Sequence, residues 1–180
     1  KNLGAFGDGG AIVTNDAKIA DDVRVFRNYG SEKRYYNRVV GTNSRLDELQ
    51  AGLLRVRLSH MAELEEDKRK LCIRYLEELK NNNISLPTIR EGADHIWHQF
   101  VIRTERRQEL INYLNEKEIG TIIHYPIPPH LSEAYRYLGI PKGSLPITER
   151  YAETVLSIPL YNGMTSEEQA YVIDAMNNFE

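Results

Sequence analysis

The sequence opens with Lys1-Asn-Leu-Gly-Ala-Phe-Gly-Asp-Gly-Gly-Ala-Ile-Val-Thr-Asn-Asp16. Gly4, Gly7, Gly9 and Gly10 make its first part a turn-forming segment. Gly10-Ala-Ile-Val-Thr14 then reads as a short strand, and Asn15-Asp16 as the N-cap of a helix. Taken singly, Lys1 is a terminal lysine and the glycines are a turn. Together they describe more. A lysine that bonds a flat cofactor must be held close to main chain, and glycines let the backbone approach that closely. A glycine turn feeding a strand is also an unusual place for a chain to start without Met. The expectation is a fragment lacking its N-terminal part.

Working outward, Ile19, Val23 and Phe26 recur at helical spacing, with Gly30 suited to the position after the helix. Residues 31–43 are polar and tyrosine-rich and read as a long loop. Ser44 and Asp47 have capping-box spacing, and Leu46, Leu49, Leu53 and Val56 follow on one face. The pattern runs on through Leu71, Tyr75 and Leu79 to Asn81-Asn82-Asn83, so one long helix over 44–83 is expected. Beyond it the elements become short. His95–Arg103 and Thr121–His124 read as strands, with a helix between them capped by Thr104 and ending at Gly120. A helix over about 146–156 precedes the extended Ser157-Ile-Pro-Leu160, and Thr165 with Glu168 caps a last helix. The expected organisation is therefore residues 1–43, a connecting helix 44–83, and a small α+β lobe over 84–180 with a mainly antiparallel sheet.

Bulk composition narrows the class. Of the 180 residues 41% are apolar and 27% charged, which suits a globular protein with a real core. A net charge of −3 points to neither nucleic acid nor a membrane surface as partner. No apolar run approaches the roughly 20 residues of a membrane span. The single cysteine, Cys72, excludes a disulfide framework. These features fit a cytoplasmic protein.

Three groups of residues could carry chemistry. Lys1 is the first. Asn43-Ser-Arg45, at the start of the long helix, has donors suited to an anion, although a simple helix cap would look the same. His124-Tyr-Pro-Ile-Pro-Pro-His130 is a rigid proline loop whose histidines read equally as surface or packing residues. No third ligand has metal-binding spacing, so no metal is expected. Trp97 and His98 read first as packing residues.

The opening segment resembles the cofactor-lysine segment of the DegT/StrS family of sugar aminotransferases. The resemblance continues in order through Arg27-Asn-Tyr-Gly30, Gly41-Thr-Asn-Ser-Arg-Leu-Asp-Glu-Leu-Gln-Ala51, His124–His130 and Leu156-Ser-Ile-Pro-Leu160. It implies an α/β with α+β architecture: the C-terminal portion of an aspartate-aminotransferase-like (fold type I) enzyme, with 1–43 closing the large domain. It also implies pyridoxal phosphate on Lys1, with Asn43 reaching the cofactor phosphate of the other subunit of a homodimer and Arg45 near the same phosphate or the substrate. His124, Tyr125 and His130 become substrate-side contacts.

The reaction so implied moves an amino group from glutamate to a nucleotide-linked keto-sugar, with Lys1 as proton shuttle. The His-Tyr-Pro loop resembles members acting at C3 of dTDP-linked 3-keto-6-deoxyhexoses more than those acting at C4. Cofactor partners that lie upstream of the lysine are missing from this chain, so the chain alone is expected to be inactive. Family members that dehydrate sugars replace the lysine, and Lys1 argues against that branch. A non-enzymatic interaction or dimerisation module is the other alternative, and a large exposed apolar patch would mark it.

Overall fold

Asp16 closes the glycine-rich opening, its carboxylate accepting the N–H groups of Lys18 at 2.8 Å and Ile19 at 3.3 Å. That bond satisfies amides a helix start would otherwise leave unpaired, and α1 (Ala17–Phe26) follows. The computed structural model describes residues 1–180, which form two compact units, Lys1–Met61 and Ala62–Glu180. No helix is long and apolar enough to cross a membrane.

In the first unit, residues 10–14 carry no strand, and Ile12 and Val13 are exposed. The expected strand has side chains of the right type, but no neighbouring segment of the unit pairs with it, and a lone strand cannot satisfy its backbone. The loop expected over 31–43 contains a small antiparallel hairpin, β1 (Ser31–Lys33) and β2 (Tyr36–Asn37), with Tyr35 at φ 72°.

Two close backbone approaches lock this unit. A Cβ on Gly30, whose φ is +73°, would sit 1.8 Å from the Val39 carbonyl oxygen. One on Gly41 would sit 2.2 Å from the Gly30 nitrogen. Around them Tyr29 N–H donates to Thr42 O, Thr42 N–H to Phe26 O and Ser44 N–H to Arg27 O, at 2.9–3.0 Å. The segments 26–30 and 41–44, far apart in the pattern of the sequence, are zipped together.

The long helix comes in two parts. α2 (Glu48–Ser59) begins a turn later than the Ser44 cap predicts: Asp47 stands at the N-cap, without a side-chain cap bond, and the Ser44 N–H is bonded to Arg27 O. It ends at His60, and α3 (Met61–Glu78) continues the chain. No Pro or Gly causes the break. The Ser59 hydroxyl donates to Val56 O at 2.7 Å, and His60 N–H turns back to Arg57 O. Both are tight turns that compete with helix continuation.

The second unit has the hydrophobic core. β3 (Phe100–Arg103) pairs antiparallel with β4 (Val155–Ile158), in the register Phe100↔Ile158 to Arg103↔Val155. Single antiparallel bridges extend this pair on both sides, Ser85↔Arg103 and Ile122↔Ser157. The expected strands at 95–103 and 121–124 are thus shorter than their sequence pattern, while the small antiparallel sheet is as expected.

α4 (Arg107–Glu116), α5 (Pro146–Thr154) and α6 (Ser166–Asn177) complete the unit. The Thr165–Glu168 capping box serves as the sequence indicates, with Glu168 N–H to Thr165 Oγ1 at 3.1 Å and Thr165 N–H to Glu168 Oε2 at 2.8 Å. Thr104, by contrast, lies before α4, accepting Arg106 N–H at 3.2 Å, and Arg106 itself stands at the N-cap without a side-chain cap bond. α4 ends earlier than Gly120, through Glu118 in the left-handed region at φ 58°. Tyr75 and Cys72 on α3, Phe100 and Ile102 on β3, Leu110 and Leu114 on α4, and Met176 on α6 are fully buried together. The Tyr75 hydroxyl keeps a partner there, donating to Pro159 O at 2.9 Å. Trp97 packs in the same core against Phe100.

Candidate active site

Lys1 is exposed, and the segment behind it is fastened to α2. The Gln50 side chain accepts from Phe6 N–H at 2.9 Å and donates to Phe6 O at 2.8 Å, pairing with the main chain as a neighbouring strand would. Arg57 Nε donates to Leu3 O. Gly4 has φ +79°, and a Cβ there would lie 3.0 Å from Arg57 Nε, so a glycine brings the lysine segment against that guanidinium. Sequence reading missed Gln50 and Arg57, since a helix residue that binds a distant backbone leaves no local pattern.

The same unit gathers Asn43 and Arg45. Arg45 Nε donates to Asn43 Oδ1 at 3.1 Å and Nη1 to Asn28 Oδ1 at 3.5 Å, and the guanidinium lies 5.4 Å from the centre of the Tyr29 ring. Its partners are amide oxygens and an aromatic face, with no carboxylate, so its positive charge is not neutralised. Asn43 Oδ1 is taken by Arg45, and its side-chain amide also carries two N–H donors. Both residues are exposed. A cation and amide donors without an acid is a donor set for an anion such as phosphate. Asn28 and Tyr29 belong to this cluster and lie within the Arg27–Gly30 motif, where sequence gave them no individual role.

The proline loop lies in the second unit and is described there by itself. His124 is half-buried, with Nδ1 2.9 Å from Ser157 Oγ and Nε2 3.1 Å from Gln99 Nε2. Tyr125 is exposed, and its ring meets that of His124 edge-on. His130 is buried, with Nε2 3.1 Å from Glu149 Oε1. The Glu149 carboxylate also accepts Gly143 N–H at 2.8 Å and Leu145 N–H at 3.2 Å. Those backbone donors, Gly143 foremost, with His130 beside them, hold the Glu149 carboxyl below the usual carboxylate range. Gln99, Gly120, Ile122, Ser157 and Leu160 line an open recess next to His124. Cys72 takes no part: it is buried, and burial pushes its thiol up to about 12.

The sequence profile of the DegT/DnrJ/EryC1/StrS aminotransferase family matches residues 1–177. The chain belongs to this family. It is 45% identical over 180 residues to a dTDP-3-amino-3,4,6-trideoxy-alpha-D-glucose transaminase of Streptomyces venezuelae, covering 99% of this chain and 48% of the relative. It is 46% identical over 171 residues to a dTDP-3-amino-3,6-dideoxy-alpha-D-galactopyranose transaminase of Aneurinibacillus thermoaerophilus, covering 95% and 47%. Among solved structures, S. venezuelae DesV in complex with a ketimine intermediate matches with a TM-score of 0.95 at 46% identity, over 98% of this chain and 48% of that one. The fold is that of these sugar aminotransferases, and the chain spans about half the length of the curated relatives it matches.

Membership of this aminotransferase family implies pyridoxal phosphate as cofactor. The residues present fit it: a primary amine at Lys1, a glycine-rich main chain behind it, and in the same unit the donor cluster of Asn43 and Arg45 suited to a phosphate.

Proposed function

We propose that the whole protein transfers the amino group of glutamate to a keto-sugar carried on a nucleotide, dTDP-linked and amination being at C3. The observation that carries this reading is the family match over residues 1–177, headed by Lys1, together with relatives named as transaminases that form dTDP-3-amino sugars. Pyridoxal phosphate, when bound, supplies the electron sink for such chemistry. The chain's own residues do the rest. Lys1 Nζ holds the cofactor and, once released as an amine, takes and returns a proton at the substrate carbon. Asn43 and Arg45 bind phosphate, with Asn43 reaching into the other subunit of a homodimer. The His124–His130 loop, including Tyr125, lines the sugar-nucleotide side. A cytoplasmic setting fits the composition.

The test is turnover by the full-length protein given pyridoxal phosphate, glutamate and paired 3-keto and 4-keto dTDP-sugars, with the product read by mass and NMR. Amination at C3 is expected, and Lys1→Ala should lower the rate by at least about 10²-fold. Amination at C4 would replace the regiochemistry. Undiminished turnover by Lys1→Ala would remove the catalytic assignment.

A second reading draws on α2, which buries none of its residues and leaves Leu49, Val56 and Leu58 more than 60% exposed. Such a face suits an interaction or dimerisation module. A full-length protein that associates through this helix but neither binds the cofactor nor transaminates would favour it.

A further inference from the structure

The loop between His124 and His130 contains three prolines in its five residues, Pro126, Pro128 and Pro129, so its internal shape is largely fixed. Where it points then depends on its two ends. Each end is a histidine, and each histidine is fastened to a different part of the second unit. His124 lies between Gln99 and Ser157. His130 is 7% exposed and meets Glu149, the first turn of α5.

The chemistry of the first fastening is directional. An amide nitrogen can only donate, so Gln99 Nε2 gives its hydrogen to a bare His124 Nε2. This fastening calls for the tautomer with the ring proton on Nδ1, facing Ser157 Oγ at 2.9 Å. Ser157 is itself 7% exposed and its backbone N–H and C=O are both bonded to Ile122, at 2.8 and 3.2 Å. This anchor belongs to the sheet and cannot drift. The second fastening is as crowded: Glu149 accepts from Gly143 and Leu145 as well as meeting His130, so three partners converge on one buried carboxylate. In both histidines the nitrogens that face these partners are engaged inside the protein. Tyr125, 65% exposed, and Ile127, 60% exposed, are left facing outward.

We propose that Gln99, Ser157 and Glu149 are positioning residues for the substrate loop, acting through His124 and His130, which serve as its fasteners. This rests on the sugar-nucleotide reading given above. A ligand that drew either histidine nitrogen to itself would take a partner from the half-buried Gln99 amide or from the buried Glu149 carboxylate, which is costly. The side chain that meets the sugar nucleotide without disturbing either fastening is Tyr125, whose hydroxyl both donates and accepts.

The experiment uses the full-length enzyme with ¹⁵N-labelled histidine, and reads the His124 tautomer by long-range ¹⁵N–¹H correlation. The wild type should show the proton on Nδ1. Gln99→Glu, which replaces a donor with an acceptor, should bring a proton to Nε2. In steady-state kinetics, Gln99→Glu and Glu149→Gln should each raise KM for the nucleotide sugar by several-fold, up to about tenfold for the loss of one hydrogen bond. KM for glutamate should stay within twofold. Ser157→Thr, which keeps the hydroxyl, should preserve both values where Ser157→Ala does not.

A wild-type ring protonated on Nε2 overturns the proposal, and so does a nucleotide-sugar KM that none of these changes moves. An enzyme with no transaminase activity would defeat the functional reading instead. The tautomer measurement needs no turnover and still judges the fastening.

Discussion

At the scale of single residues, Glu149 is the group whose charge the fold depends on most visibly. It has three protein partners and is buried, and its folded carboxyl lies below the ordinary value of 4.5. A carboxyl lowered on folding contributes stability that is present above its unfolded value and lost as pH falls through the folded one. Wild type should therefore exceed Glu149→Gln in melting temperature near neutrality, and the gap should close as the solution is acidified through that range. Thermal melts of both proteins over a pH series check this. A gap that stays constant or widens on acidification would show that the carboxylate charge is not what the loop requires.

Elements show how local and distant forces divide the work. The capping box at Thr165–Glu168 and the cap at Asp16 were legible because capping is local chemistry between residues a few positions apart. The strand expected at 10–14 and the unbroken helix over 44–83 were not, because pairing partners and a serine turning back on its own helix are not encoded in periodicity. In the same way, Lys1, Asn43 and Arg45 were visible from motif and resemblance, whereas Gln50, Arg57 and Gln99 act on distant partners and left no signal.

The Gly30–Gly41 contact allows a sharp test at this scale. Gly30→Ala would force a methyl into the Val39 carbonyl at φ +73°, whereas Gly139, at φ +63°, has open space around it. Gly139→Ala should cost roughly 1 kcal/mol of backbone strain. Gly30→Ala should cost at least about 3 kcal/mol, since overlap adds to strain. Urea unfolding of the two variants compares them. Equal losses would mean that the two motif segments are not held as tightly as their backbone bonds indicate.

For the whole molecule, the chain is about half the length of its relatives, and its two units carry separate parts of the candidate chemistry. The first has the lysine, the glycine turn and the anion donors, and the second has the fastened proline loop. The fold class and the family could be read from the order of five short motifs. The fastening of His130 to Glu149 could not, because it is a tertiary contact between residues 19 apart. The central claim is that Lys1 carries the cofactor. Its most direct test is borohydride reduction of the full-length protein incubated with pyridoxal phosphate, followed by peptide mass mapping. A pyridoxyl adduct on Lys1 is the expected result. An adduct on another lysine, or none on a folded protein, would contradict the account.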